Sequence, residues 1–533
     1  MSIICPYCFG TMNDDEVLFR SERLSDPNEE AELIPDDYED FDDFNARYRG
    51  ADKEEILARY REWEFFLPKE DPVYEEWWKK FGGTTEISLI QLSNNAAGIP
   101  DYHRPIIDPS RDSVFLVKQE DGDYLIRNNG MVAQIRLKCK GDPRGEPCTR
   151  RVCKHCHNPL PFGYGRHNVK FVSVIGITAS GKTVFLSQLL HDMRKYSQKV
   201  GLDATLTADG ALVFVERNQV AAGKPLPDAT PARNLQQPLF FDMSSRDPKT
   251  NDVRVDTFVM YDVAGELFDP HRTSSPDMDK YAPFLCNSDG LIFLIDPMQI
   301  QRIRAVANDA EARSEATTVI DQIHHIITSD GSDKRFSKPV AVCVSKIDTP
   351  NAQQSLPDKL AQMLQSDVRN VYRELHRREF DAEKYNEIAD ELKKFMQTEP
   401  LDMTMETLFG NCAYFAFTSL GCDVKRVEDE NGNQQDVPVG PLLPKRIEEP
   451  LHWLFQEMGY IGTNARIHKR SEYIWPCRYE DCGSEYTEVL DPPKEVTVGK
   501  IFQKKHKEYY NCRCDTCGRM WWDEDVAVFY GQV

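Results

Sequence analysis

The chain has no stretch that reaches the roughly 18 uninterrupted apolar residues a membrane-crossing helix requires, which excludes such a helix from the expected architecture. No unit recurs at a fixed period, which excludes solenoids and propellers. Basic residues are in deficit: 65 Lys and Arg stand against 87 Asp and Glu, and a net charge of −22 argues against a dominant electrostatic grip on nucleic acid or anionic lipid. The opening MSIICPYCFG has no basic segment followed by an apolar one, so no secretory signal is read there and a soluble, cytoplasmic chain is expected. Apolar material is ample, with 40% hydrophobic and 10% aromatic residues, so neither disorder nor a fibrous repeat fits. A length of 533 residues suggests several domains rather than one core. Cysteine is plentiful: the 15 residues include CxxC pairs on a long chain without a secretion signal, which favours metal over disulfides.

Charge and pattern divide the chain. Residues 1–80 hold 23 acidic and 10 basic side chains, so they carry −13 of the total −22. Between Thr11 and Asn45 lie 14 acids and two bases, a self-repelling run expected to be a solvated tether, the alternative being an acidic docking surface. Residues 52–81 carry Leu57, Tyr60, Trp63, Phe66, Tyr74, Trp77 and Trp78 at helical spacing broken by Pro68 and Pro72, and so many aromatics need burial, against a neighbouring domain or a partner. Period-two patterning over Val114–Val117, Tyr124–Arg127 and Met131–Lys138 predicts a small antiparallel sheet. The expected division is a zinc-ribbon-like module at 1–165 with an insertion at about 11–135, an α/β domain at 166–462, and a second β-rich zinc ribbon at 470–533.

The apolar run Phe171–Ile175 leads into Gly176-Ile-Thr-Ala-Ser180-Gly181-Lys182-Thr183 and then into Val184-Phe185-Leu186 at helical spacing. Glycines in such a loop let successive amides turn toward a polyphosphate at the positive end of the following helix. Lys182 is placed to reach the β- and γ-phosphates, Thr183 to offer its hydroxyl to Mg²⁺, and both are expected to face solvent in the loop. Further along, the strand Asp256–Asp262 precedes Val263-Ala264-Gly265-Glu266, a DxxG in which Asp262 can hold Mg²⁺ through water and the Gly265 amide can bond the γ-phosphate. Gly290–Asp296 and Pro339–Val344 read as buried parallel strands, the second ending in Ser345-Lys346-Ile347-Asp348. The Asp348 carboxylate has two acceptors matched to the N1 and N2 donors of guanine, and Lys346 can lie along the base plane. Cys412–Phe417 leads into Thr418-Ser419-Leu420, whose amides can approach the guanine O6.

These four motifs in this order resemble the TRAFAC class of P-loop GTPases over about residues 169–460. The resemblance implies a doubly wound, mostly parallel sheet binding GTP or GDP with Mg²⁺. It assigns Gly176, Ser180, Gly181, Lys182 and Thr183 to the phosphate loop, and Asp262 and Gly265 to the second switch. Ser345, Lys346 and Asp348 take the base-specificity motif, and Thr418, Ser419 and Leu420 the last base contact. Ser345 stands where members usually have Asn or Thr, which implies a looser loop. Glu266 stands where many use Gln to orient the attacking water, and its charge beside the γ-phosphate implies slow intrinsic hydrolysis. The first-switch threonine is assigned to Thr230, in a loop before the strand at 238–243, and Arg233 and Arg272 are candidates for a transition-state arginine in cis.

Cys477-x₄-Cys482 and Cys514-x₂-Cys517, 31 residues apart, have the arrangement of a zinc ribbon, with Cys512 as a spare that could replace Cys514. At the other end, Cys5-x₂-Cys8 is matched in form by Cys153-x₂-Cys156, and pairing them makes residues 9–152 an insertion between two knuckles. The alternative is a compact site from Cys139, Cys148, Cys153 and Cys156. His155 and His157 are expected to be bystanders or outer hydrogen-bond donors. The knuckle running through Asn158-Pro-Leu-Pro161 into a phosphate-loop strand resembles bacterial double-GTPase proteins of the second type, which implies dedicated protein partners in multi-gene conflict or defence systems. The leading expectation is a Mg²⁺-dependent GTP switch acting on protein partners. The alternatives are a nucleotide-holding scaffold without turnover and an ATP-using P-loop enzyme. Contact with nucleic acid, through Lys504–Lys507, is possible but not favoured, and no membrane is involved.

Overall fold

The computed structural model describes residues 2–29, 33–34, 37–81, 100–176, 180–206, 209–227, 238–246, 253–264, 283–307, 316–328, 336–365, 379–397, 399–428 and 432–465, and beyond them 477–479, 481–482, 487–489, 494–498, 505–514 and 517–523. At its centre is a seven-stranded sheet. In spatial order its strands are Asp203–Leu206, Leu239–Arg246, Val253–Ala264, Asn168–Gly176, Gly290–Ile295, Val340–Val344 and Cys412–Ala416. Leu239–Arg246 is antiparallel to both its neighbours, and the remaining pairings are parallel. The near-continuous apolar runs at 290–295, 340–344 and 412–416 are buried at every residue, as strands covered on both faces must be. From the strand 168–176 the chain crosses to the edge strand 203–206, returns inward to 253–264 beside the first strand, and then builds toward the other edge, so the loop after Gly176 lies where strand order reverses, the crevice in which open α/β sheets bind ligands.

Helices cover both faces. The amphipathic helices Ala316–Ile327 and Asp358–Gln365 bury Ile320, Ile323, Leu360 and Leu364 in the same core as Phe293 and Val342. The helix Glu449–Glu457 buries Trp453, Leu454 and Phe455 with Val172, Phe258 and Ile292 on the opposite face.

The N-terminal region is part of this core rather than a bead beside it. The helices Lys53–Phe65 and Pro72–Phe81 form where the aromatic spacing predicted, and Phe66, Tyr74, Trp77 and Trp78 join one apolar cluster with Phe171, Val259 and Tyr261 of the central sheet. The acidic run, expected as a tether, holds regular structure. Thr11–Asn13 and Leu18–Arg20 are strands, and Asp14 is buried because its carboxylate accepts from the Val132 amide at 2.7 Å and from Arg127 at 3.0 Å. The small antiparallel sheet is Ile126–Asn128, Met131–Cys139 and Asp142–Cys148. The expected strand at 114–117 begins instead as a 3₁₀ turn at Ser113–Phe115, and only its second half pairs with the sheet, through an antiparallel bridge from Leu116 to Leu137 and the Val117 amide on the Arg136 carbonyl at 2.9 Å. There Asp108 and Asp112 tie the preceding backbone into a tight turn, with the Asp108 amide donating to Asp112 at 2.7 Å. The C-terminal strands Thr487–Val489, Lys494–Val498, Lys505–Cys514 and Met520–Asp523 form an antiparallel sheet, as the ribbon pattern required.

The helix Glu449–Glu457 carries a buried charge cluster with a testable consequence. Burial pushes the Glu449 carboxyl up from 4.5 to about 7, although Arg446 lies 2.5 Å away. A raised folded-state pKa means that this group's contribution to stability is present in full below 4.5 and is lost as pH rises through about 7. Glu449→Gln is expected to remove that slope, gaining on the order of 3 kcal/mol over wild type between pH 4.5 and pH 8 in urea unfolding. Profiles that stay parallel across this range would refute the assignment.

Candidate functional site

The register sets the site. Ala264 is level with Gly176 and Asp262 with Val174 in one parallel ladder, Leu294 is level with Gly176 in the next, and Ile295, Val344 and Ala416 continue the row. The carboxyl ends of five strands therefore share one edge, and every motif named above that lies in the described residues follows one of them.

At the phosphate loop, residues 177–179 lie outside the described residues, but both flanks are fixed. A side-chain carbon on Gly176 would fall on Ser180 Oγ and within 2.8 Å of Lys182 Cβ, so only glycine permits the chain to double back here. Gly181 has φ +74°, a left-handed conformation, and caps the helix Lys182–His191. That helix has no acidic residue in its first turn to compete for its free amides. Lys182 does not face solvent as expected: its side chain is 7% exposed and its Nζ lies 2.8 Å from Asp262 Oδ1. The short helix turn aims it across the sheet edge at the neighbouring strand end. An ion pair this deeply buried is costly to desolvate, so it is weak evidence for stability and better evidence of a site built for charged groups. Thr183, next on the helix, is only partly exposed.

The base-specificity motif is tied to this loop. Ser345 Oγ lies 2.8 Å from the Ser180 carbonyl and 3.1 Å from the Ile295 carbonyl, so its single proton can bridge the phosphate loop to the strand 290–295. The serine therefore supplies the tether that its small size put in question. Lys346 takes a left-handed backbone, φ 49°, and its side chain passes over Gly181, where an added carbon would sit 3.2 Å from Lys346 Cε. Its Nζ reaches Asp296 Oδ2 at 3.2 Å. Asp296 was not singled out in the sequence; it is buried, and its other oxygen accepts from the Met298 amide at 2.9 Å. The available signal was a carboxylate ending the apolar run 290–295. Asp348 is exposed. Thr418 pairs with Lys445 through both backbone groups, at 3.1 and 2.9 Å, and its Oγ1 accepts from the Gly421 amide at 3.3 Å, which shapes the loop holding Ser419 and Leu420. A hairpin, Asp423–Glu428 with Gln434–Val439, leaves that loop, and its Pro438 and Asp436 carbonyls accept from the Gly223 and Leu226 amides at 2.9 and 2.8 Å. Thr230, Arg233, Gly265, Glu266 and Arg272 lie outside the described residues.

The cysteines resolve into two sets of four. Cys5, Cys8, Cys153 and Cys156 converge, as do Cys477, Cys482, Cys514 and Cys517. The sulfur pairs Cys5–Cys156, Cys8–Cys153, Cys477–Cys517 and Cys482–Cys514 are 3.7, 3.8, 3.8 and 3.6 Å apart. Tetrahedral coordination with bonds of about 2.3 Å has edges of about 3.8 Å, so both donor sets fit zinc. Cys139 is exposed, while Cys148 is buried with its thiol 3.5 Å from the Arg20 carbonyl, so the compact alternative is not formed. Cys512 is buried in the small C-terminal core, and Cys514 takes the ligand position. His155 and His157 stand outside the cluster, on the Thr11 carbonyl at 3.1 Å and on Asp71 at 2.8 Å. Amides of Tyr7, His155 and Cys517 point at knuckle sulfurs at 3.4, 3.3 and 3.5 Å, which favours thiolates. Arg519, hydrogen-bonded to Cys517 at 3.2 Å, draws that thiol down to about 6.

Residues 170–398 match the model of the family described as Double-GTPase 2. A curated relative, the putative ESX-1 scaffolding and assembly protein SaeC of Mycolicibacterium smegmatis, is 23% identical over 221 residues, 38% of this chain and 52% of that protein. The chain thus spans about half the length of this relative. Among solved structures, Era of Aquifex aeolicus bound to GDP and AlF₄⁻ is 12% identical, covering 47% of this chain and 52% of that chain with a TM-score of 0.20. The signal recognition particle receptor complex from Chaetomium thermophilum is 14% identical, covering 47% of this chain and 94% of that chain with a TM-score of 0.22. The phosphate loop, the Asp262 strand and the Asp348 motif all lie within the segment that matches the Double-GTPase 2 family.

Proposed function

We propose that this chain is a Mg²⁺-dependent guanine-nucleotide switch that acts on protein partners and is built as a GTPase domain at 166–462 between zinc ribbons at 1–165 and 470–533. The observation that supports it best is the convergence, on one edge of the sheet, of Lys182, Thr183 and Asp262 with the Ser345–Asp348 and Thr418–Leu420 loops. Lys182 would exchange Asp262 for the phosphates, and Thr183 and Asp262 would hold Mg²⁺, which supplies charge neutralisation on the triphosphate. Asp348 selects guanine by accepting from its two donors, Lys346 packs along the base between Gly181 and Asp296, and Thr418, Ser419 and Leu420 complete the pocket. Thr230 and Gly265 take the sensing positions of the two switches. Glu266 makes turnover slow, and GTP hydrolysis to GDP and phosphate, if accelerated, draws on Arg233, Arg272 or a partner's arginine. Cytoplasmic residence and a role in a bacterial conflict or defence system accompany this reading through the family likeness. Among the described residues no helix is long and apolar enough to cross a membrane.

A nucleotide-holding scaffold without turnover is a second reading, favoured by Glu266 and by the scaffolding role in the name of the Mycolicibacterium smegmatis relative. Single-turnover release of phosphate separates the two.

Two measurements check the assignments. Asp348→Asn is expected to weaken GTP binding about 100-fold, the loss of two charge-assisted hydrogen bonds, and to favour xanthosine triphosphate instead, read by fluorescent-nucleotide titration. Wild type binding ATP and GTP equally would refute guanine selection. Metal analysis of the purified chain should return two zinc ions. Cys153→Ser should lower that to one and Cys139→Ser should leave it at two, whereas zinc lost with Cys139 would contradict the knuckle pairing.

A further inference from the structure

The first cysteine knuckle sits against the strand that carries the magnesium ligand. Phe9, the residue after Cys8, has φ 56°, a left-handed conformation that lets its amide donate to the Cys5 carbonyl at 3.0 Å and throws its ring out of the knuckle. That ring is in edge or tilted contact with Phe171, Tyr261 and Phe284, at centroid distances of 5.6, 5.7 and 5.0 Å. Inside the same knuckle, the Pro6 carbonyl accepts a hydrogen bond from the Tyr261 hydroxyl at 2.9 Å. The knuckle is itself held from behind: Trp77 Nε1 donates to the Tyr7 carbonyl at 3.3 Å and the Tyr164 hydroxyl to the Ile4 carbonyl at 2.7 Å.

Tyr261 and Asp262 are consecutive in one strand, so their side chains point to opposite faces and share a peptide unit. The Tyr261 ring is buried in the core with the ribbon, whereas Asp262 turns to Lys182. Phe284 adds a second anchor, since its carbonyl accepts from Ser288 Oγ at 2.8 Å and Ser288 Oγ bonds Ser173 of the phosphate-loop strand at 2.6 Å. A knuckle closed by four cysteine ligands thus grips the strand bearing Asp262 and the turn that leads into the next strand.

We propose that Phe9 and the Pro6 carbonyl, acting through Tyr261, are positioning elements for Asp262, so that the N-terminal cysteine knuckle sets the magnesium requirement of nucleotide binding. The proposal rests on the GTP and Mg²⁺ reading above. The physical basis is that losing an outer group that holds a metal ligand in place typically costs about 10- to 100-fold in metal affinity. The ring of Phe9 packs on Phe171, Tyr261 and Phe284, and the Tyr261 hydroxyl fixes the ring that shares its backbone with Asp262.

The test is a Mg²⁺ titration of GTP affinity with the full-length protein, using fluorescent GTP, for wild type, Phe9→Ala, Phe9→Leu and Tyr261→Phe. Phe9→Ala is expected to raise the Mg²⁺ concentration for half-maximal tightening about 10-fold, with Tyr261→Phe shifted in the same direction and Phe9→Leu restoring most of the wild-type value. Affinity measured in magnesium-free buffer and a zinc content of two per chain should be unchanged, which a general loss of structure would not allow. An unmoved Mg²⁺ midpoint in Phe9→Ala, or equal weakening with and without Mg²⁺, overturns the proposal. If instead wild type shows no tightening of GTP by Mg²⁺, the reading of the site fails, which is a separate result.

Discussion

The buried pair formed by Lys182 and Asp262 is the interaction on which the rest of the site depends. A lysine at the start of a helix and an aspartate near a strand end meet only if the two parallel strands preceding them are held in register, and the ladder from Asp256–Asn168 to Ala264–Gly176 does that. The apolar strands behind the ladder keep it dry, so charge at its edge interacts strongly and is not screened as it would be in water. A buried ion pair there gains little net stability. Its two charges are suited instead to be separated by a ligand that is anionic toward Lys182 and carries a cation toward Asp262.

The same constraint organises the neighbouring strands. Ser345 bridges the loop at Ser180 to Ile295, and Lys346 spans from Gly181 to Asp296, so on the proposed reading the groups for triphosphate and for base share one edge although they are far apart in sequence. The cysteine knuckles extend the frame. Phe9 and His157 have φ 56° and 52° in the first ribbon and Gly518 has φ 68° in the second, each directly after a ligand cysteine. Only the last uses glycine, the residue that adopts this conformation without strain. In the first ribbon the strain carries a side chain into use: Phe9 reaches the sheet, and His157 meets Asp71, which also pairs with Arg20 at 2.8 Å. The N-terminal cysteine knuckles are consequently fused to the central sheet, and the aromatic helices at 53–65 and 72–81 supply packing in the same core.

Much of this was legible in the sequence because the signals are local. Glycine spacing followed by a helix, apolar runs ended by carboxylates, and paired cysteine knuckles are each written within a few residues, and the helix at 182–191, the strands at 290–295 and 340–344 and the two cysteine clusters are formed where they were expected. What failed depended on partners distant in the chain. The alternation of Val114–Val117 resembles a strand, but the side chains of Asp108 and Asp112 turn the chain first. Asp14 reads as one more charge in an acidic run, yet a backbone amide 118 residues away makes it structural. Lys182 reads as a solvent-facing phosphate ligand because nothing in its neighbourhood reveals that Asp262 lies 2.8 Å away. Asp296 was visible as a strand-ending carboxylate, but its role appears only once Lys346 is placed beside it.

The most direct test is a crystal structure of the full chain grown with Mg²⁺ and a non-hydrolysable GTP analogue. The account predicts Lys182 Nζ withdrawn from Asp262 onto the phosphates, the metal beside Thr183 and Asp262, and the guanine edge on Asp348. A nucleotide bound elsewhere, or Lys182 and Asp262 still paired across a blocked loop, would contradict it.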